Sequence, residues 1–238
     1  EIRKLKQENV QGIILDLRYN GGGSLTDVVD IGGMFIDKGP IVQVKSKNES
    51  AQTLADRKAG TLYDGPMAIL INQGSASASE ILAAAMQDYK RAIIMGTTSF
   101  GKGTVQRVFP LEDFYQGDKS LFPFGSIKLT LQKFYRINGG STQLKGVSPD
   151  ITLPDVYELL DVGERRDSNS LAWDQIAKAD YKALTPNVDF NTLIENAKKR
   201  IFAEEKFKVI TRNAARLKQQ SEDNTYSLNE EKYQAQMK

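Results

Sequence analysis

The chain has 238 residues, with 32 lysines and arginines against 30 aspartates and glutamates, a formal charge of +2. A balanced chain without a basic stripe argues against a phosphate-backbone binder, and no apolar run reaches the ~18 to 20 residues of a membrane-spanning helix. Histidine and cysteine are both absent, which removes Ser-His-Asp triads, histidine-ligated zinc, thiol nucleophiles and disulfides.

Residues up to about 155 alternate short β-branched runs with helical patterns, the rhythm of an α/β fold. Strands are predicted at 12–17, 41–45, 67–71, 92–95, 104–109 and 126–136, each bounded by Gly, Pro, Asn or Asp. Helices are predicted at 25–35, from Leu25, Val28, Val29, Ile31 and Phe35, and at 79–89, from Ile81, Leu82, Ala85, Met86 and Tyr89. After Pro154 glycines and β-branched runs thin out. Residues 165–170 read as a loop, and 191–220 repeat apolar side chains at Ile194, Ala197, Ile201, Ile210, Ala214 and Leu217, so a mainly helical C-terminal region is expected from 156 to 238, frayed beyond Glu222. The first residue is Glu1, and no charged, apolar leader follows, so the chain is expected to be a fragment or a processed product.

Three junctions could carry chemistry. At Leu15-Asp16-Leu17-Arg18-Tyr19-Asn20-Gly21-Gly22-Gly23-Ser24 a strand runs into three glycines, which either make a tight turn or let bare N–H groups approach an anion. At Asn72-Gln73-Gly74-Ser75-Ala76-Ser77-Ala78-Ser79-Glu80 a strand ends and a helix begins. A serine here can present its hydroxyl while the following N–H points into the same space. The competing reading is a capping box between Ser77 and Glu80, and the pattern alone does not choose among Ser75, Ser77 and Ser79. The third junction, Gly96-Thr97-Thr98-Ser99-Phe100-Gly101-Lys102-Gly103-Thr104-Val105-Gln106, imitates a phosphate loop. Gly103 stands where the magnesium-binding Ser or Thr belongs, and a strand follows where a helix should begin, so a nucleotide site is not expected. A strand from Lys102 puts Lys102, Thr104 and Gln106 on one face. With no histidine available, a serine needs another base, and a neutral lysine in an apolar pocket can serve, steadied by the uncharged amide of Gln106.

Taken together, the motifs at 15–23, 75–80 and 100–106, with Lys145-Gly146-Val147-Ser148-Pro149-Asp150 as a closing motif, resemble the carboxyl-terminal processing peptidases, most closely the tail-specific protease branch, over about residues 1–155. The resemblance implies an α/β core of the crotonase and caseinolytic-protease type, a mix of β-sheet and helices, as a serine protease core at 1–155. In the family the nucleophilic serine lies 25 residues before the lysine, which selects Ser77. Lys102 is then the general base, Gln106 positions it, and the N–H of Ala78 with that of Gly22 or Gly23 forms the oxyanion hole; Glu80 and Ser99 occupy supportive positions. The implied activity is endoproteolysis of protein or peptide substrates engaged through an apolar C-terminus. No metal or organic cofactor is implied. The family implies a periplasmic or otherwise extracytoplasmic setting and an upstream PDZ domain, for which no segment of this chain fits. A catalytically silent binding module on the same fold is the alternative.

Overall fold

The computed structural model describes residues 1–118, 123–186, 189–225 and 227–236. Among them, eight strands form two four-stranded sheets. The first sheet is parallel, in the order β1 (Ile13–Asp16), β4 (Met67–Ile71), β5 (Ile93–Gly96), β8 (Ile151–Thr152). The second is antiparallel, in the order β3 (Gln52–Asp56), β2 (Gly39–Lys45), β7 (Ser126–Tyr135), β6 (Thr104–Pro110).

The core forms where α2 (Leu25–Gly33) and α3 (Ala78–Asp88) pack against these strands. In β4 the residues Met67, Ile69 and Ile71 alternate into the interior, as strand periodicity requires. They meet Ile81, Leu82 and Met86 of α3 in one apolar cluster. Each such side chain removed from water contributes about 1.5 to 3 kcal/mol. The alanines at 83–85 bring α3 close to its neighbours, and residues 78 through 86 are all buried. α4 (Phe190–Ala203) packs separately, setting Phe190, Ile194, Ala197 and Ile201 against Ile93 and Ile151.

Parallel order explains why three motifs distant in sequence come together. β1, β4 and β5 are adjacent and point the same way, so their carboxyl ends deliver residues 17–24, 72–79 and 97–103 to one edge of the sheet. Ligand sites of α/β folds form at that end of the strands.

The six predicted strands and two predicted core helices are present with shifts of a few residues at their ends. Short elements that escape the sequence patterns include α1 (Ile2–Gln7), β3, β8 and a 3-10 turn at Leu111–Phe114. The predicted helical stretch at 191–220 is two helices, α4 and α5 (Glu205–Glu222), separated at Glu204. Its ψ of 117° ends the first helix, while its carboxylate accepts from the Lys206 N–H and caps the second. Helical structure beyond the core begins only at Phe190, apart from a single turn at Glu164–Arg166, and α6 (Glu230–Gln236) follows α5. Residues 226, 237 and 238 of the polar terminal stretch lie outside the described residues.

Candidate functional site

The three serines at the β4–α3 junction are separated by what their hydroxyls already do. Ser75 is fully buried; its hydroxyl donates to the Leu17 carbonyl at 2.7 Å and accepts from the Asn72 N–H at 2.9 Å. Ser79 donates to the Asn20 carbonyl at 3.0 Å. Both therefore bind the junction to the loop after β1. Ser77 instead lines a cavity of about 250 Å³ together with Lys102.

Ser77 sits at φ 56°, ψ −116°, a backbone region that costs a non-glycine residue about 1 to 3 kcal/mol and persists only where neighbours impose it. The neighbours are identifiable. Ala76 N–H donates to the Asn20 carbonyl, Phe100 N–H to the Ser75 carbonyl, and Ser77 N–H to Glu80 Oε2 at 2.9 Å. The Glu80 half of the capping box is thus in place, and it holds the strained turn while Ser77 lines the cavity.

Gly22 and Gly23 behave differently. Gly22 has φ +103°, and a Cβ there would lie 2.7 Å from Ser77 Cβ and 2.8 Å from the Ala76 carbonyl. Only glycine lets the loop after β1 approach this closely. The Gly22 N–H donates to Asn20 Oδ1 at 3.0 Å. Gly23 and Ala78 line the cavity, and their N–H groups make no hydrogen bond among the described residues. The remaining wall comes from Gly21, Leu25, Ile81, Thr104, Val105, Gln106 and Phe134.

Lys102 lies partly buried two residues before β6, and its ammonium has no ion-pair partner among the described residues. The cavity it lines is of mixed character, with the apolar Leu25, Ile81, Val105 and Phe134 beside the polar Ser77, Thr104 and Gln106. Gln106 lines the same cavity, with its amide Nε2 donating to Thr130 Oγ1 at 3.3 Å. No hydrogen bond joins Gln106 to Lys102 among the described residues. The structure therefore brings Ser77, Ala78, Gly23, Lys102 and Gln106 around one space, while the Gly22 N–H is turned to Asn20.

The residue most undervalued by sequence pattern is Glu80. It is fully buried. Oε1 accepts from Ser99 Oγ at 2.5 Å and Gly101 N–H at 2.7 Å; Oε2 accepts from Ser77 N–H and from Lys102 N–H, each at 2.9 Å. One carboxylate thus fastens the serine turn to the lysine loop. Burial pushes its carboxyl up to about 7, against the pull of those four donors. Ser99 passes the network on by accepting from Val147 N–H at 2.7 Å. A sequence signal existed in the run of N–H groups flanked by glycines at 101–103, which needs an acceptor when buried. A Ser-x-x-Glu box read as a local cap obscured it.

The chain is similar to known proteins over most of its length. The family model "Peptidase family S41" matches residues 1–153, and "C-terminal domain of tail specific protease" matches 157–238. The chain is 49% identical over 178 residues to the tail-specific protease of Haemophilus influenzae, covering 75% of this chain and 25% of that protein. It is 41% identical over 164 residues to the carboxy-terminal-processing protease of Bartonella bacilliformis, covering 67% of this chain and 36% of that protein. The solved photosystem II D1 C-terminal processing protease is similar with TM-score 0.55 and 32% identity, over 63% of this chain and 36% of that one. The chain thus spans between a quarter and a little over a third of the length of these relatives.

Proposed function

Because this chain belongs to peptidase family S41, we propose that its cavity is the active site of a serine endopeptidase, with Ser77 as nucleophile and Lys102 as general base. The observation that carries the reading is the convergence of Ser77 and Lys102 on one cavity while the hydroxyls of Ser75 and Ser79 are bonded elsewhere. The neutral amine of Lys102 takes the Ser77 hydroxyl proton as Oγ attacks the scissile carbonyl carbon. The N–H groups of Ala78 and Gly23 stabilise the oxyanion, Gly23 being the better placed of the two glycines because Gly22 already donates to Asn20. The ammonium then protonates the departing amine, and water, deprotonated by the regenerated amine, releases the acyl group. Gln106 borders the amine and limits its movement. Every proton is handled by side chains of this chain.

We assign residues 1–155 to the protease core and 156–238 to an accessory, mainly helical region. The substrates are polypeptides engaged through an apolar C-terminus, with a PDZ domain of the intact protein capturing that terminus, and the setting is the periplasm. The tail-specific and carboxy-terminal-processing names of the relatives support this substrate class. Among the described residues, no helix is long and apolar enough to cross a membrane.

The test is cleavage of an unstructured polypeptide with an apolar C-terminus, followed by mass spectrometry. The parent should cut it faster at pH 9 than at pH 7, since only the neutral amine accepts a proton, and Ser77→Ala should leave no more than background. Equal cleavage by the two proteins overturns the assignment.

Gly22→Ala should reduce kcat/KM by about 10²-fold, because the added Cβ at 2.7 Å from Ser77 Cβ must displace the nucleophile or the loop, and misplacement of about 1 Å carries a penalty of that order. Steady-state kinetics beside thermal unfolding checks it; full activity in a folded variant would show that this close approach is dispensable.

A further inference from the structure

We propose that the groove between α4 and the uncovered half of the parallel sheet binds a long-chain fatty carboxylate, an acyl chain with one anionic head. α2 and α3 cover one face of this sheet, and α4 lies against the other. Ile14, Ala68 and Ile93 are in register across β1, β4 and β5, so the three side chains share the face toward α4. The helix reaches Ile93 and Ile151 in β5 and β8 but leaves β1 uncovered, where Ile14 is 72% exposed. Parallel sheets are ordinarily covered on both faces. The gap is a groove of about 680 Å³, floored by that row and Met95 and walled by Phe190 and Leu193 of α4, a size that suits a small-molecule ligand. Gly12, Pro66 and Arg91, each one or two residues before a strand, also line it. It therefore extends to the amino ends of the strands, shares no residue with the cavity at their carboxyl ends, and does not depend on the chemistry assigned there.

Charge selects the head of the ligand. The ionisable side chains along the groove are Lys90, Arg91 and Arg200 against Asp64, and none of the four makes an ion pair among the described residues. Arg91 is 9% exposed; its Nε donates to the Phe35 carbonyl and its Nη2 to the Tyr63 carbonyl, each at 2.8 Å. Its Nη1 makes no hydrogen bond among the described residues. Two neutral acceptors thus fix the guanidinium and leave its charge unbalanced. Burial accordingly holds Arg91 below its ordinary value, with Tyr63 and Asp64 countering only in part. Buried charges are ordinarily paired, and a carboxylate is the partner that suits a guanidinium.

The floor and the wall select the tail. β4 is paired on both sides, with β1 and β5, and β5 with β4 and β8, while α4 bonds its own backbone as any helix does. A polypeptide laid between them would bury amides without partners, whereas an acyl chain brings none and gains from every methylene taken out of water. A second copy of this chain fits less well. A two-fold contact through the groove would set Lys90, Arg91 and Arg200 against their own counterparts, with a single Asp64 on each side to offset them.

The experiment is calorimetric titration of the parent protein with laurate, kept below its micelle concentration, beside dodecanol, which has the same chain without the charge. Laurate should bind at one site and raise the thermal unfolding temperature. Dodecanol should bind at least about tenfold more weakly, for want of a charge-assisted hydrogen bond. Replacing Arg91 would endanger the fold, because its guanidinium joins Phe35 to Tyr63, so exposed residues of α4 carry the mutational arm. Leu193→Trp, which fills the groove, and Arg200→Glu, which reverses a charge along it, should each weaken laurate by about tenfold or more while the ligand-free protein unfolds at the parent's temperature. Equal affinity for acid and alcohol, or unchanged laurate affinity in folded Leu193→Trp, overturns the proposal. So does a parent that binds no laurate but dimerises through a contact that Leu193→Trp abolishes, which would make the groove an interface between copies.

Discussion

Lys102→Ala is expected to lower kcat/KM by at least about 10³-fold while leaving the fold in place. The size follows from the unit character of a nucleophile and its base, in which removal of either forfeits most of the rate. The fold should survive because the local structure uses the Lys102 backbone, whose N–H donates to Glu80 Oε2, while its ammonium has no ion-pair partner among the described residues. Lys102→Arg should be nearly as inactive, since guanidinium keeps the charge but cannot accept a proton at accessible pH. That pair of variants separates a base from an electrostatic group. Added methylamine should partly restore the alanine variant, because the vacated part of the cavity can admit a small amine. Kinetics at pH 7 and pH 9, with circular dichroism to confirm folding, measures all three. An arginine variant retaining most of the activity would refute base catalysis by Lys102.

Glu80→Gln should lower kcat by about 10²-fold or more and also lower stability. Both carboxylate oxygens accept two donors each, and an amide keeps only one oxygen. Its NH2 must confront two other donors, each left unsatisfied at about 1 to 3 kcal/mol. The consequence reaches Ser77 and Lys102 together, since the same carboxylate holds the backbone of both. Glu80 touches no substrate in this account; it is a positioning residue, and pH separates that role from mere packing. Burial raises the Glu80 carboxyl on folding from the usual 4.5 to about 7, so the native state binds this proton more tightly than the unfolded chain. Its contribution to stability is complete below pH ~4.5 and is lost as pH rises through 7, by about 3 kcal/mol at most. Activity runs the opposite way, because four donors need the ionised form. In the parent, log kcat/KM should therefore break downward near pH 7 as Glu80 gains its proton. In Glu80→Gln that break should be absent. A break that persists would reduce Glu80 to structural packing.

Much of the architecture was legible because the parallel strands are short apolar runs closed by turn residues, as in Met67–Ile71 followed by Asn72 and Gly74. The three reactive junctions could be found for the same reason: glycines and serines concentrate where strands end. What local pattern could not show was pairing across space. β3 reads Gln52-Thr53-Leu54-Ala55-Asp56, polar at both ends, and is a strand because β2 pairs with it. β8 is two residues long and is defined by its partner β5. The break between α4 and α5 has neither glycine nor proline to announce it, only Glu204 acting as a cap. The site shows the same limit. Spacing within a family indicates Ser77, whereas the reason Ser75 and Ser79 are unsuitable lies in their bonds to Leu17 and Asn20, residues more than fifty positions away. Glu80 likewise looked like a local cap until its contacts with 99–102 came into view.

The central claim is that Ser77 is made nucleophilic by Lys102, and peptide mapping of fluorophosphonate adducts tests it most directly. The parent should carry one adduct, on Ser77, formed faster at pH 9 than at pH 7, and Lys102→Ala should carry almost none at either pH. An adduct on Ser75, Ser79 or Ser99 instead, or labelling of Ser77 at the same rate with and without Lys102, would contradict the account.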